Sequence, residues 1–475
     1  MADRNRRFPP AAAPLALTAL LAGCAVGPDY REPEMTLPER FASAEPSRYG
    51  SGEADLAAFW TVFDDATLSR LVQESLLANH DLRIALARLN QARALRGEAQ
   101  LDLGPAITAG AGYTDQRLSS AAAVGGVRDL EGYDAGFDAF WELDFFGRNR
   151  RALEAANAEL DAAQATLFDT QVSVAAELTR SYFELRGLQQ RLLVAVRNVA
   201  NQAETLELTR ARLEAGTGTE LDTSRAQARL AATRALMPLL EAAIARTIHR
   251  ISVLTGRAPS ELTADLAPAQ DLPAVPEFTL VADPATLLRR RPDIRVSERR
   301  LAAATARVGV AVADLFPRVT FIAAAGFATA EIDTLGESRS GTHMVAPGLS
   351  WAALDLGRVR ARIAAARARS EAALVEYEQT VLRALQEAED ALITHARSRE
   401  RLLQLTEAAA ASSTAARLAR LRYENGMVDF LQVLDAERSL LEAEDSLAQG
   451  RTEAATSLVA LYKALGGGWV AAGGG

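Results

Sequence analysis

The sequence predicts a mainly α-helical protein with a membrane β portion. It describes long helices that occur twice along the chain, with four β-strands per chain between them. Three observations carry this. The 475 residues are 49% hydrophobic but only 6% aromatic, so the apolar mass is mostly alanine and leucine, which suits long, closely packed helices. Residues 148–215 and 358–425, 68 residues each, contain no proline and, between them, only Gly187. Four further segments of about ten residues alternate apolar with small or polar side chains, as outer-membrane strands do.

Composition narrows the function. A net charge of −9 argues against a nucleic-acid binder, which needs a basic face to neutralise phosphates. Lys463 is the only lysine, so there is no GxxxxGK phosphate loop. One cysteine excludes an intrachain disulfide or multi-cysteine metal centre. His80, His249, His343 and His395 stand singly without an HExxH. No nucleophile elbow or metal constellation is present, so neither enzyme nor metal site is expected, and no cofactor.

The chain begins as an address. Arg4, Arg6 and Arg7 precede an apolar run, Ala11 to Ala22, interrupted by Pro14. That run falls short of the about 20 residues a spanning helix needs and reads as a secretory signal, residues 1–23. It ends in Leu21-Ala22-Gly23-Cys24, which resembles the bacterial lipoprotein box. Cys24 is therefore expected to carry lipid and to open the mature chain. Removing residues 1–23 leaves 49 basic and 60 acidic residues, a charge of −11. Ala25 in place of Asp favours outer-membrane sorting, by analogy with such lipoproteins. The polar, proline-bearing stretch Gly27 to Ser51 reads as a tether.

The rest of the chain is written twice. Asn79-His80-Asp81-Leu82-Arg83 is echoed by Arg291-Pro292-Asp293-Ile294-Arg295, and Asp102-Leu103-Gly104-Pro105 by Asp314-Leu315-Phe316-Pro317, both at an offset of 212. Gly147-Arg148 and Gly357-Arg358, and then Gly216 and Gly426, are offset by 210. Each repeat opens with a helical stretch, about Ala66 to Gln100 and about Pro284 to Ala313. A hairpin comes next. Ile107, Ala109, Ala111 and Tyr113 share one strand face. Tyr133, Ala135, Phe137, Ala139, Trp141 and Leu143 share a face of the partner strand. In the second repeat Val319, Phe321, Ala323, Ala325 and Phe327 alternate the same way, and His343 to Leu354 completes the set despite Pro347. Read alone, each hairpin would equally suit a soluble amphipathic pair.

After each hairpin runs a 68-residue helix of about 100 Å. It ends at Gly216 or Gly426, each suited to a left-handed cap, and turns into a shorter helix, about Leu221–Thr255 or Phe430–Leu465. Helices this long form either a coiled-coil rod or the wall of a tube. Four strands cannot close a barrel, whose practical minimum is about eight, and lipid tolerates no open sheet edge. Membrane-embedded hairpins therefore require an oligomer, and a trimer supplies twelve strands.

Cys24-Ala25-Val26-Gly27-Pro28-Asp29-Tyr30, Leu287-Leu288-Arg289-Arg290-Arg291-Pro292-Asp293-Ile294-Arg295, Ala313-Asp314-Leu315-Phe316-Pro317, Trp141-Glu142-Leu143-Asp144 and Leu434-Asp435-Ala436-Glu437-Arg438 resemble the TolC/OprM-type outer-membrane efflux factors. The likeness is to the NodT-like lipoprotein branch of resistance-nodulation-division efflux systems and covers nearly the whole mature chain. It implies a homotrimer, in which a duplicated long-helix α-barrel plus four β-strands per chain contribute to a trimeric 12-stranded β-barrel, lipid-anchored in the bacterial outer membrane and extending through the periplasm. It also implies docking to a periplasmic adaptor and an inner-membrane pump, and a passive exit duct for small molecules.

The resemblance also implies a gate at the periplasmic tip. The matching positions are Leu431, Asp435 and Arg438, at spacings of four and three on one helix face, with Asp222 in the first repeat. Three Asp435 carboxylates at a constriction would repel, raising their proton affinity and favouring bound cations; Arg438 offsets this if it pairs with a neighbouring subunit. The competing reading is a solvated Asp435–Arg438 pair worth a few tenths of a kcal/mol. Gln432 stands where some members carry a second Asp. The turns at Gly216, Thr217, Gly426 and Met427 resemble adaptor-docking tips and equally suit plain helix caps.

The expected organisation is a signal peptide at 1–23, a lipidated tether and equatorial segment at 24–64, a first repeat at 65–256, a proline-rich linker at 257–283, a second repeat at 284–465 and a glycine-rich tail at 466–475. Strands are expected at about 106–116, 133–144, 317–329 and 343–355, with tips near 216–220 and 426–430. The alternative is a lipid-anchored periplasmic coiled-coil scaffold or adhesin without a pore.

Overall fold

The computed structural model describes residues 25–44, 49–51, 57–122, 125, 127–276, 279–281 and 283–469. The chain divides into two compact units, each drawn from both sequence repeats: 1–34, 88–164 and 296–378 form one, and 35–87, 165–295 and 379–475 the other. In chain order the elements are β1 (Tyr49–Ser51), α1 (Ala66–Ala78), α2 (His80–Leu101), β2 (Ala106–Arg117), β3 (Asp129–Leu143), α3 (Arg148–Glu214), α4 (Glu220–Leu254), α5 (Thr263–Leu266), β4 (Thr279–Val281), α6 (Pro284–Arg290), α7 (Pro292–Ala313), β5 (Arg318–Thr329), β6 (Gly341–Ser350), α8 (Leu356–Glu424) and α9 (Phe430–Ala464).

The two long helices are continuous. α3 has 67 residues and α8 has 69, each about 100 Å at 1.5 Å per residue. The helical stretch that opens each repeat is not one helix as expected: it breaks at Asn79 and again at Arg291. At Asn79 the backbone turns extended (ψ 134°). Its Oδ1 accepts from the Asp81 and Leu82 amides, at 2.8 and 3.3 Å, and its Nδ2 donates to the Leu254 carbonyl. The side chain thus restarts the helix as a cap. At Arg291 the following Pro292 forces the same turn (ψ 119°). The Arg291 guanidinium donates to Asp293 (2.6 Å), Glu387 (2.7 Å) and the Ala464 carbonyl (3.1 Å). Different chemistry breaks the two repeats at one equivalent place.

The first unit holds an antiparallel sheet in the order β2-β3-β5-β6. β3 begins at Asp129, four residues before the expected start. β6 ends at Ser350, five residues short of the expected end, because residues 351–355 turn toward α8: Asp355 N–H bonds the Ala352 carbonyl. Trp351 Nε1 donates to the Leu315 carbonyl at 3.0 Å, and Trp141 Nε1 to the Leu103 carbonyl at the same distance. The two repeats therefore pin the base of their hairpins with the same bond. Phe146 stacks on Phe316, with centroids 4.6 Å apart.

The second unit has an aromatic-aliphatic core. Phe59, Phe63, Leu68, Leu71, Leu178, Tyr182, Phe183, Ile248, Ile251 and Leu262 are buried. Asp65 caps α1 with one oxygen on the Leu68 amide (2.8 Å), while its other oxygen accepts from Tyr182 Oη (2.7 Å). Arg186 is wholly buried and meets no carboxylate among the described residues. It lies over the Tyr182 ring and donates to Gln189, to Gln270 and to the Pro268 carbonyl, so it latches the linker after α5 to α3.

Candidate functional site

The sheet shows in detail what the alternation implied. Register pairs Ile107 with Ala139, Ala109 with Phe137, Ala111 with Ala135 and Tyr113 with Tyr133. It continues Phe137 to Ala325 and Trp141 to Phe321, then Ala323 to Val345 and Val319 to Leu349. Directly paired residues share a face, so the apolar sides of all four strands coincide. That face is open: Ile107 is 67%, Phe137 64% and Leu349 70% exposed. The other face carries Thr108, Thr114, Asp134, Asp138, Ala324 and Ala346, interrupted by the cross-strand pair Phe140–Ile322 and by Met344.

Gly110, Gly136 and Gly326 are direct partners across three strands on that second face. A Cβ on Gly326 would stand 2.3 Å from the Ala135 carbonyl oxygen, and one on Gly136 2.8 Å from that of Ala325. The row is a crease, of the kind that curves a sheet. Within this sheet β2 and β6 are the edge strands, each unpaired on one side among the described residues. No helix among the described residues is long and apolar enough to cross a membrane.

The tips lie in the second unit. Gly216 (φ 74°) and Gly426 (φ 70°) are left-handed, a conformation that favours glycine. Thr217 and Gly218 N–H donate to the Arg212 carbonyl and Met427 N–H to that of Arg422, all at 2.9 Å, which closes both long helices in the usual C-terminal way. Arg212 stacks 4.3 Å above the Tyr423 ring, tying one tip to the other. Below them Leu206, Ala226, Leu230, Tyr423, Phe430 and Val433 form a small core.

Each candidate gate residue has a definite place. Leu431 and Asp435 are exposed. Arg438 Nη2 donates to Asp435 Oδ1 of its own chain at 2.7 Å. Asp222 is bound locally: Thr219 Oγ1 donates to its Oδ2 (2.7 Å) and accepts from its amide (3.2 Å). The structure brings Asp435 and Arg438 together, and holds Asp222 at the start of α4. Met427 is exposed and Thr217 Oγ1 is turned back on the Arg212 carbonyl. Cys24 lies outside the described residues. The segment after it is held: Val26 N–H donates to the Phe146 carbonyl, and Arg151 donates to the carbonyls of Val26 (3.2 Å) and Gly27 (3.4 Å) and to Asp29 (2.7 Å).

Sequence reading missed a buried polar group beside the candidate gate. Glu437, two residues from Asp435, is buried and accepts from Thr205 Oγ1 at 2.7 Å. Burial pushes its carboxyl above the usual range, while Thr205, Arg420 and Arg229 pull it back. Gln202, one turn along α3 from Thr205, has no partner for either amide atom among the described residues. The signal was legible in part: Phe430, Val433, Glu437 and Leu441 recur at three, four and four, the core stripe of α9. Among the described residues no group of His, Cys, Asp and Glu could hold a metal.

Comparison with known proteins agrees with this geometry. The model of the outer membrane efflux protein family matches residues 71–257 and again 284–467, one match per repeat. The chain is 33% identical over 470 residues to Nodulation protein T of Rhizobium leguminosarum bv. viciae, covering 96% of this chain and 93% of that one. It is 32% identical over 465 residues to the toluene efflux pump outer membrane protein TtgF of Pseudomonas putida, covering 96% of each. Among solved structures, the outer-membrane channel OprN superposes with a TM-score of 0.89 at 46% identity, covering 94% of this chain and all of that one. The open state of the Neisseria gonorrhoeae MtrE outer membrane channel superposes at 0.82 and 27% identity, covering 94% and 99%.

Proposed function

This chain belongs to the outer membrane efflux protein family and is an outer-membrane efflux channel subunit, and on that premise we propose how it works. It is a passive duct that makes and breaks no bonds and needs no cofactor. Lipid on Cys24 fastens it to the membrane. The tips at Gly216, Thr217, Gly426 and Met427 dock a periplasmic adaptor, and through it an inner-membrane pump that supplies the energy. Leu431, Asp435, Arg438 and Asp222 restrain the periplasmic end.

The observation that carries this reading is the sheet. Most of its apolar side chains fall on one open face in register across all four strands, and its edges at β2 and β6 are unpaired. Lipid covers the first and copies of the same chain must cover the second, because an open edge in hydrocarbon leaves backbone groups without partners. Three copies give twelve strands.

Single-channel conductance in planar bilayers tests the gate. The wild-type trimer is expected to conduct poorly, and Asp435→Ala/Arg438→Ala to conduct several-fold better. Unchanged conductance in the double variant would place the restraint elsewhere. Absence of current from an inserted, folded preparation would remove the duct.

A further inference from the structure

A run of positive charge with no acidic residue in it lies just past the sheet of this acidic protein. From Leu356 to Ser370, α8 carries Arg358, Arg360, Arg362, Arg367 and Arg369 and no acidic residue, beginning six residues after β6 ends at Ser350. Two of the five have partners in the chain: Arg358 lies 3.3 Å from Asp355, and Arg362 3.6 Å from Asp314, which Arg148 and Arg318 also approach. Arg360, Arg367 and Arg369 have no ion-pair partner among the described residues. Arg360 and Arg367 are seven apart, so they occupy one face of α8.

That face adjoins the segment after Cys24. Arg367 lines a pocket of about 430 Å³ with Gly27, Pro28, Val308, Val312 and Thr305. Gly27 fits only because a Cβ there would stand 2.4 Å from the Gly309 Cα, so the segment lies directly on α7. The pocket is amphiphilic. Val308 and Val312 give it an apolar wall. Arg367 and the hydrogen-bonded pair Thr305–Ser370 (3.3 Å) give it a polar one. Arg360 lies about 10 Å nearer the sheet along the helix.

We propose that Arg360 and Arg367 bind the headgroup of an anionic phospholipid of the periplasmic leaflet, beside the N-terminal segment. Unpaired arginines next to a membrane-spanning sheet meet a surface of opposite charge, to which each contributes attraction, and the guanidinium fork suits a phosphate. The apolar wall then faces the glycerol and first methylenes. The inference rests on the outer-membrane placement of the sheet and does not require lipid on Cys24.

The test is native mass spectrometry of the full-length protein released from nanodiscs of equal phosphatidylglycerol and phosphatidylethanolamine. The wild-type trimer should retain phosphatidylglycerol selectively. Arg360→Gln/Arg367→Gln should lose that retention by about tenfold or more with the trimer mass intact. Arg383→Gln/Arg397→Gln, which removes equal charge from the other unit, should retain it as wild type does. Equal retention of both lipids, an unaffected Arg360/Arg367 variant, or an equal loss in the control would overturn the site. A variant that falls to monomers would overturn it too, by assigning these arginines to a neighbouring copy. Failure of wild type to enter nanodiscs would instead overturn the membrane reading, and an unmodified mass at Cys24 would bear on the anchor alone.

Discussion

In the unit that carries the sheet, Ile107, Phe137, Val345 and Leu349 stand exposed, and the buried side chains include Ala162, Ala303 and Ala306 with Leu89, Val308, Val359 and Tyr377. In the unit that carries the tips, Phe59, Phe63, Tyr182, Phe183 and Phe430 are buried. The second unit therefore supplies its own core, with apolar area removed from water at roughly 25 cal/mol per Å². The first leaves that area to lipid and to other copies, and packs its backbones close through alanine and glycine. One chain thus contains a region with its own aromatic core and a region whose apolar face is left open.

Four experiments break or sharpen that contrast. The largest effect is expected at the crease. Gly326→Val drives a Cβ into the Ala135 carbonyl, at 2.3 Å, and should abolish the folded oligomer, a loss above about 4 kcal/mol. Gly110→Val should be tolerated, since nothing lies within 4 Å of its Cβ position. Electrophoresis of unheated membrane fractions reads both, and a Gly326→Val oligomer at wild-type level would sink the crease.

Next comes the apolar face. Phe137→Arg places charge toward hydrocarbon and should cost roughly 2–4 kcal/mol. Asp138→Arg, one residue on and on the opposite face, should cost far less. Equal losses in denaturant-dependent folding into vesicles would mean that the two faces do not see different solvents.

In the second unit, Arg186→Ala leaves the buried Gln189 Oε1 without its donor, removes one bond each from the Pro268 carbonyl and Gln270 and leaves a cavity. The expected loss is about 2–3 kcal/mol, seen as a lower apparent Tm in detergent while the oligomer persists.

The smallest effect is at Glu437. Burial raises its folded-state carboxyl above the ordinary 4.5, so the unfolded chain ionises first as pH rises. Its contribution to stability is present below about 4.5 and is lost as pH climbs through the raised value. Tip packing should therefore be tighter at pH 5 than at pH 8. Glu437→Gln should flatten that dependence, as read by hydrogen exchange of residues 200–210. His395 has the opposite sign. Burial lowers its imidazole to about 4, so its contribution is present above about 6.5 and is lost as pH falls toward 4. A wild-type profile that survives Glu437→Gln unchanged would assign the pH response to other groups.

Much of the architecture was legible in the amino acids because its signals are local. Helix continuity in α3 and α8 follows from the near-absence of glycine and proline, and the tips follow from Gly216 and Gly426. Strand faces follow from period-two alternation, and the duplication from matched residues at one offset. The break at Arg291 had a signal in Pro292; the break at Asn79 had none beyond a good capping residue. Of the candidate site, the neighbourhood of Asp435 and Arg438 was legible from their spacing of three.

The sequence by itself determined the helix lengths, the turns, the alternating faces and the duplication, since each depends on neighbours within a turn or two of the chain. Tertiary structure alone decided that the four apolar faces coincide, that three glycines meet in a row, that Arg186 is sealed against Gln189, Gln270 and the Pro268 carbonyl and that Glu437 is buried. Those outcomes depend on groups far apart in sequence: Glu437 meets Thr205 across 232 residues and Arg186 meets Gln270 across 84. Periodicity shows which side of a helix is apolar, but the identity of what packs there is set by chain closure over such distances.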